Sequence, residues 1–510
     1  MAKVLTTGRP WRVILVFCVP LLIGNVVQQL YQVADAVVVG RVLGVDSLAA
    51  VGAVGGLLFL LFGVAWGMTS GFAIPTAQAF GAGDHAAVRR SVATGTVLTA
   101  VASVVISAVA LVLVGPALRL LQTPPELYDA AYTFAWVSFA GATSTMAYNY
   151  LASVIRAIGD SRTPLVFLVV SCVLNIALVL LLVAVGGHGV GGAALATVIS
   201  QTVSVALCLW YVARRVPVLH VRRADFRLER ADLTEHLRLG IPLGFQSSVI
   251  AIGTLVVQLR LNELGADAVA AYTTAARVDG LAVALLASLG LAVSTFAAQN
   301  LGARQGDRIR RGVVQAVWMS VAGGVSIAVV LIAFGPELVE LFVGPGEEKV
   351  VEMAALFLAI NGAMYVVLGV LFVLRGALQG LGQAAVPTLT GVVELVMRAG
   401  AAIFLGAAFG YAGVVWSNPL AWIGAVVLLV PAYVRAHRAL AGLRPGGEVA
   451  PQEPGTVALD EVLVEGPAEG SLVVDAVVPQ PRATPDGVLE DAPDDASQDT
   501  PGEVPQPAHR

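Results

Sequence analysis

Residues 25–40 read NVVQQLYQVADAVVVG, an apolar run that carries four widely spaced polar side chains. These are Asn25, Gln28, Gln32 and Asp35, at successive steps of three, four and three residues. Residues three and four apart lie on the same face of an α-helix. The stretch therefore predicts a single helix whose polar stripe ends in a carboxylate.

The carboxylate of Asp35 is informative because an ionisable group within a membrane helix is costly. A polar stripe with such a group is typical of a water-filled cavity or an ion path. Two simpler explanations are a neighbouring cation that neutralises the charge and a position near the membrane interface. Arg41 lies six residues later on another face, so pairing within the helix is not expected.

The composition of the 510-residue chain is typical of a polytopic membrane protein. It is 57% hydrophobic and 13% charged, with a mean hydropathy of +0.83, whereas soluble domains carry about 25% charged residues. The first apolar run continues into the polar stripe without a small-residue cleavage site, which predicts a membrane span rather than a signal peptide. Cys18, Cys172 and Cys208 lie in apolar segments, so no disulfide is expected.

The net charge of −4 combines two different parts of the chain. From Pro445 onward there are fourteen acidic and two basic residues, whereas 28 basic and 20 acidic residues precede it. A basic excess in the loops follows from the positive-inside rule and does not indicate nucleic-acid binding. The Pro-rich acidic segment 441–510 is predicted to be a disordered cytoplasmic tail. The sequence contains no metal-ligand spacing, Walker A loop or dinucleotide fingerprint, so neither a metal nor another cofactor is expected.

Apolar stretches of about 20 residues, the length a helix needs to cross a bilayer, occur twelve times. With the N-terminus placed inside, 22 of the 28 basic residues fall on that side, as the positive-inside rule requires. We therefore predict an all-α, multi-pass protein of the bacterial inner membrane with both termini cytoplasmic, acting as a monomer. The predicted spans are 13–38, 48–74, 89–114, 130–154, 164–186, 190–213, 239–261, 268–297, 312–335, 351–375, 387–409 and 412–436.

The two halves of the chain resemble each other at an offset of about 221 residues. Pro20 aligns with Pro242, and LGVDSLAA at 43–50 aligns with LGADAVAA at 264–271. Because each half has six spans, the repeats have parallel topology, which predicts two lobes related by a pseudo-two-fold axis around a central cavity. The predicted domains are a first lobe at 1–213, a cytoplasmic linker at 214–238, a second lobe at 239–440 and the tail at 441–510.

Four motifs occur in order at the ends of predicted spans. They are Pro20…Gln28-Gln29-Leu30-Tyr31…Asp35…Val39-Gly40, AQAFGAG at 77–83, Arg156…Gly159-Asp160…Pro164, and Gln299…Gly302. With these motifs the chain resembles the multidrug and toxic compound extrusion (MATE) family, and most closely its DinF-like branch, over about residues 10–440.

The resemblance implies cation-coupled efflux of amphipathic organic cations by alternating access, with a proton carried on Asp35. Branches that couple through the second lobe use carboxylates where this chain has Gln246 and Leu368, which argues against that sodium-linked mode. Related sequences often follow the helix-five Asn with an Asp four residues later, but here Asn175 is followed by Val179. The proton site is therefore expected to consist of Asp35 with neutral partners such as Asn175.

Several other residues are candidates for the cavity or for conformational change. Pro20 removes a helix hydrogen bond and predicts a kink or hinge. Glu394 and Arg398, four residues apart, are predicted to pair on one helix face, either as a structural ion pair or as part of a binding site. Arg277 and Asp279 are predicted to form an interfacial or gating pair. The remaining cavity candidates are Asn25, Gln28, Gln32, Tyr31, Asn175, Trp66, Tyr148, Phe245, Asn361 and Tyr365.

Three functions fit these observations, and a proton-coupled exporter of small organic molecules is favoured. A lipid-linked sugar flippase of related fold would need a more basic cavity than Arg277 and Arg398 provide. A non-transporting scaffold acting through its acidic tail leaves Asp35 without a role. An enzyme is not expected, because the polar residues within the spans include no nucleophile–base pair. The expected partners are the bilayer, the substrate and protons or sodium.

Overall fold

The computed structural model describes residues 4–344 and 346–443, except for the side chains of residues 32–34, 36, 45, 251, 341 and 342. Within this part of the chain the secondary structure is helical, with no β-strand. The tail predicted from residue 441 lies almost wholly outside the described residues, so its predicted disorder stays a prediction.

The first half of the chain forms eight α-helices. Helix α7 continues directly into a π-helical segment, Leu180–Val185. These helices are α1 (Pro10–Leu43), α2 (Val45–Phe72), α3 (Ile74–Gly81), α4 (His85–Leu120), α5 (Pro125–Ala140), α6 (Ala142–Ala157), α7 (Arg162–Val179) and α8 (Gly189–Arg215).

The second half repeats this order with small changes in where helices are broken. The helices are α9 (Arg230–Leu264), α10 (Ala266–Gly302), α11 (Gly306–Val343), α12 (Glu348–Ala363), α13 (Tyr365–Gly380), α14 (Ala385–Phe409), α15 (Tyr411–Val415) and α16 (Ser417–Ala439).

The internal repeat extends to the turns between helices. Gly44 separates α1 from α2 with φ 89°, and Gly265 separates α9 from α10 with φ 100°. A positive φ at these positions favours glycine, which lacks the Cβ that would strain the turn. The same backbone requirement therefore recurs 221 residues later, at the same place in each half.

The membrane spans agree with an all-α polytopic fold. Ten helical segments are long and apolar enough to cross a bilayer, and α12 with α13, bent by 50°, forms an eleventh candidate in the described chain. Their counterparts in the first half, α5 and α6, have 16 residues each and do not form a candidate span by themselves. The fold class is confirmed, whereas the twelfth crossing rests on the repeat.

The linker between the halves is shorter than predicted. Helix α8 continues to Arg215 and α9 already begins at Arg230, so the ordered helices extend into the predicted 214–238 segment. Two ion pairs attach this region to α4, one between Arg89 and Asp225 at 3.5 Å and one between Arg90 and Asp232 at 3.9 Å.

Helix α1 packs against both halves. Near its beginning, Ile14, Phe17 and Cys18 lie in the same apolar core as α10, α11 and α13. Near its end, Val39 lies in a core formed with α2, α5 and α8. We call α1–α8 the first lobe and α9–α16 the second lobe, with α1 extending from one core to the other.

The lobes meet closely at the end of the bundle where the chain begins, which we call the N-terminal face. A methyl group added to Gly81 would overlap the Gln299 carbonyl oxygen, and one added to Gly302 would overlap that of Gln78. Along α2 toward the opposite face, a methyl group on Gly67 would overlap the Leu243 carbonyl oxygen of α9, whereas one on Gly63 would lie 3.5 Å from the Ser247 Cβ. The lobes are therefore closed at the N-terminal face and less tightly apposed toward the opposite face.

Candidate functional site

Asp35 lies in the second half of α1 with one oxygen buried and unsatisfied. Its side chain is partly buried, and no described donor lies within hydrogen-bond distance of its Oδ1 atom. Tyr31, one helical turn earlier, interacts with it electrostatically. A buried carboxylate without a donor or a counter-ion is unfavourable when ionised.

Three uncharged polar side chains meet beside this part of α1. The Tyr31 hydroxyl is 3.1 Å from Oγ1 of Thr197, and Nδ2 of Asn175 donates to the same Thr197 oxygen at 3.1 Å. Oδ1 of Asn175 has no described partner although the residue is fully buried. Thr197 thus joins α1 and α7 to α8. Its only signal in the sequence is a hydroxyl group in an apolar span.

The other members of the polar stripe have different environments. Asn25 donates through Nδ2 to Oγ of Ser288 at 2.8 Å, so it connects α1 to the second lobe. The side chain of Gln28 is exposed. Gln32 lies on α1, but its side chain is outside the described part of the structure.

The second lobe contains a carboxylate, Asp279, whose partners differ from the one predicted from the sequence. Asp279 on α10 accepts a hydrogen bond through Oδ1 from the Tyr365 hydroxyl at 2.6 Å and from Nδ2 of Asn361 at 3.4 Å. Asn361 and Tyr365 are themselves fully buried. In this structure both side chains pack inside the lobe and donate hydrogen bonds to Asp279, so their predicted role in a cavity stays a prediction.

The expected pairing of Arg277 with Asp279 does not occur. The Arg277 side chain is exposed whereas Asp279 is partly buried, and residues two apart on a helix point to different sides.

The predicted ion pair between Glu394 and Arg398 is also wrong. Glu394 on α14 instead pairs with Arg375 on α13, and both side chains are buried. Arg375 is the last residue of the predicted span 351–375, but α13 continues beyond it to Gly380. The pairing follows from the packing of α13 against α14, which helix spacing on α14 alone does not reveal.

Arg398 is buried on the side of α14 that faces α9. Its Nη1 atom would be 3.2 Å from a methyl group added to Gly253, and its Nε has no hydrogen-bond partner in the described chain. The small Gly253 thus makes room for this guanidinium group.

The aromatic candidates divide between core and surface. Tyr148 is 7% exposed and donates its hydroxyl to the Pro164 carbonyl at 3.2 Å, so it packs inside the first lobe. Its predicted role in the cavity stays a prediction. Trp66 and Phe245 are about half exposed and remain available to a ligand. Pro20 is buried within α1, which continues through it without interruption.

The positions where related sequences carry second-lobe carboxylates have structural roles here. Gln246 donates through Nε2 to the Pro387 carbonyl at 2.7 Å and accepts from Gln379. Leu368 is a core residue, 3% exposed. Within residues 4–344 and 346–443, no group of acidic, His and Cys side chains has the arrangement of a metal site.

The hydrogen bonds across the closed N-terminal face occur at equivalent positions of the two sequence repeats. Nε2 of Gln78 in the first lobe donates to the Gly380 carbonyl in the second, at 3.0 Å. Nε2 of Gln299 in the second lobe donates to the Ala157 carbonyl in the first, at 2.6 Å. The two glutamines and their two acceptors are related by the sequence offset, so the closure is two-fold symmetric.

A cavity of about 30 Å³ lies between the lobes just inside this closure. Ser70, Ser153 and Ser294 line it, together with Arg156, which donates to the Ser153 hydroxyl at 2.8 Å. This volume is far below the roughly 300–1,000 Å³ of small-molecule sites, so the cavity is too small to hold an organic substrate.

Two helical lobes with polar and ionisable side chains between apolar helices define a membrane transporter of the internal-repeat type. Comparisons with known proteins agree. The MatE family model matches residues 20–181 and 242–404. The two matched segments begin 222 residues apart, in agreement with the repeat.

Among characterised relatives, the chain is similar to the probable multidrug resistance protein YoeA of Bacillus subtilis. The two are 31% identical over 393 residues, which cover 76% of this chain and 84% of that protein. It is 25% identical to the multidrug export protein MepA of Staphylococcus aureus over 405 residues, covering 79% and 88% of the two chains.

The fold is also found in a solved structure of MATE in complex with MaL6. That structure superposes with a TM-score of 0.80 at 23% identity and covers 86% of this chain and 98% of its own. The chain therefore belongs to the MATE family of multidrug efflux transporters. The resemblance predicted from the motifs is confirmed.

Proposed function

We propose that this protein is a secondary active exporter that exchanges protons for amphipathic organic cations by alternating access, and is not an enzyme. The observation that carries the proposal is the buried, unsatisfied Oδ1 of Asp35 on a helix that contacts both lobes. The names of the relatives support the substrate class, since they are described as multidrug resistance and export proteins.

Asp35 supplies the coupling because its ionised form needs a positive partner. Among the described residues it has no ion-pair partner, so either a proton or a cationic substrate would stabilise it. Once protonated, the side chain loses its attraction for a cation. Proton binding and cation binding are thus mutually exclusive, which is the condition for exchange.

Helix α1 transmits the change in charge. Its beginning lies in the second-lobe core and its end in the first-lobe core, and Pro20 removes a backbone hydrogen bond between these regions. Altered hydration around Asp35 changes how α1 packs between the cores. Tyr31, Asn175 and Thr197 are the polar groups that rearrange with it.

We further propose that the N-terminal face is cytoplasmic. The basic residues of the first lobe's loops support this orientation, in agreement with the positive-inside rule. The structure, closed at that face, then corresponds to a state open to the outside. Trp66 and Phe245, both about half exposed, are the aromatic groups available to contact a cation.

The flippase alternative is not favoured by the positions of the basic side chains. Arg398 is buried and Arg277 is exposed on α10, so they do not form a paired site for a diphosphate.

The test is uptake of a fluorescent organic cation by proteoliposomes with an acidic interior. Wild type should accumulate the cation, and Asp35→Asn should lose gradient-driven uptake by about a hundredfold, since removal of a coupling group abolishes exchange. Asp46→Asn is the matched control, because Asp46 is exposed at the start of α2.

A sodium gradient imposed in place of the proton gradient shows which of the two ions drives uptake. Equal uptake by wild type and Asp35→Asn under a proton gradient contradicts the proposal. Uptake driven only by sodium would replace the proton in the mechanism.

A further inference from the structure

Residues 4–9, which precede α1, form turns and bends rather than a helix. Leu5 is 4% exposed and lies in the second-lobe core, and α1 begins only at Pro10. Backbone groups outside helices need other hydrogen-bond partners when buried. In this segment, Leu5–Gly8, the partners are side chains of the second lobe.

Two side chains at the end of α10 bind the backbone of Leu5. Its N–H donates to Oε1 of Gln299 at 2.8 Å, and its carbonyl accepts from Nδ2 of Asn300 at 3.3 Å. Asn300 and Gln299 are both fully buried. Both backbone polar groups of Leu5 are thus hydrogen-bonded by side chains of α10, as in a bound peptide.

Arg308 on α11 completes this recess. Its Nη2 donates to the carbonyls of Leu5 at 3.1 Å and Thr7 at 2.8 Å, and its Nη1 donates to that of Gly8. The guanidinium group lies 5.5 Å from the centre of the Phe296 ring. In the described chain it has no carboxylate within ion-pair distance, so its donors are directed to the segment. Hydrogen bonds from a charged donor are stronger than neutral ones.

Gln299 connects the segment to the closure between the lobes. While its Oε1 accepts from Leu5, its Nε2 donates to the Ala157 carbonyl of the first lobe. The bond from Leu5 fixes which way the amide points, because an amide rotated by half a turn would place its oxygen toward the Ala157 carbonyl. The symmetric Gln78 makes the equivalent bond to Gly380, but the structure shows no backbone donor held by its Oε1.

We infer that the second lobe carries a peptide-binding recess formed by Gln299, Asn300 and Arg308, and that its ligand is Leu5–Gly8 of the same chain. The bound segment orients Gln299 and thereby strengthens one of the two symmetric contacts that close the N-terminal face. Opening at this face is consequently coupled to the release or loosening of the segment.

The test measures the opening of the face directly and does not depend on transport. Spin labels at Ala86 and Asp307, exposed residues at equivalent positions of the two lobes, report the distance between lobes by pulsed electron paramagnetic resonance. The three buried cysteines are replaced by alanine. Deletion of residues 2–8 and Arg308→Ala should each raise the ratio of open to closed molecules about tenfold, the effect of losing about one or two hydrogen bonds.

A double-variant comparison tests the route through Gln299. If the segment acts by orienting this amide, deletion of residues 2–8 adds little to Gln299→Ala, whereas it multiplies the effect of Gln78→Ala. A synthetic peptide of residues 4–11 should restore closure to the deleted protein but not to one that also carries Arg308→Ala. Arg311→Ala is the matched control, because Arg311 bonds only within α11.

Two results would overturn the inference. One is an unchanged open fraction in both the deletion and Arg308→Ala, with protein that elutes and melts like wild type. The other is a double variant in which the changes in the open-to-closed ratio caused by the deletion and by Gln299→Ala simply multiply. That result would mean that the segment acts independently of the Gln299 amide.

Discussion

Each lobe holds a partly buried carboxylate between apolar helices, but Asp35 and Asp279 differ in the hydrogen bonds that they accept. Asp279 receives hydrogen bonds from Tyr365 and Asn361, whereas Oδ1 of Asp35 receives none from the described residues. Satisfied buried polar groups stabilise one arrangement, and unsatisfied ones favour a change in protonation or ligation. The comparison supports the proposal that the exchangeable proton is carried by Asp35 in the first lobe, and it suggests a structural role for Asp279 in the second.

The largest expected difference is in proton release on binding of an organic cation. Wild type and Asp279→Asn should release about one proton per cation bound, and Asp35→Asn should release none, because linkage requires a group that changes protonation. A weakly buffered titration with a pH indicator measures this. Loss of release in Asp279→Asn, with release retained in Asp35→Asn, would reverse the assignment of the lobes.

A third buried carboxylate, Glu394, sharpens the comparison because its partner is the cation Arg375. Arg375→Met should lower the free energy of unfolding by about 3–5 kcal/mol, since it leaves an uncompensated buried charge. Replacing both residues with methionine should recover part of that loss. Chemical unfolding in detergent micelles is the measurement.

The control for this pair is Lys349→Met, which removes an exposed ion pair with Asp267 and should leave stability nearly unchanged, since such pairs are screened by solvent. A loss of similar size in Lys349→Met and Arg375→Met would mean that burial of the Glu394 pair contributes little.

Removing the nearer of the two donors to Asp279 should make that carboxylate more like Asp35. Tyr365→Phe is expected to cost about 1–3 kcal/mol of unfolding free energy, the penalty for an unsatisfied buried acceptor. The loss should be smaller in acidic than in neutral solution, because a protonated carboxyl requires the donor less. Unfolding curves at the two pH values test this, and a loss independent of pH would point to packing alone.

The smallest effect is expected beside Asp35. Tyr31→Phe removes one hydroxyl from the Thr197 cluster and should cost about 0.5–1.5 kcal/mol. Thr197→Val should cost more, because it removes the partner of both Tyr31 and Asn175. Thermal melting of the two variants side by side gives the order. The reverse order would show that Thr197 is not the centre of the cluster.

The sequence predicted the fold better than it predicted contacts in the sites. The apolar lengths, the basic loops and the offset between halves led to the polytopic class and the family. Asp35 was found because one carboxylate stands out in an apolar helix. Thr197, which bonds to Tyr31 one turn before Asp35, was not identified from the sequence, because a threonine in an apolar span is more often a helix-packing residue.

The errors in the second lobe have a common cause. Glu394 was assigned to Arg398 because residues four apart share a helix face, but the partner in the structure is Arg375, on another helix. Asp279 was assigned to Arg277, but its donors lie 82 and 86 positions away. Spacing along one helix predicts only local neighbours.

The sequence by itself determined that the chain is helical, crosses a membrane repeatedly and consists of two related halves. These properties depend on hydrophobic length, charge placement and periodicity, which are local quantities. Only the tertiary structure decided which buried charges have hydrogen-bond or ion-pair partners, and which segment of the chain bonds to Gln299. Those outcomes depend on distances between residues far apart in sequence, and helix packing alone sets them.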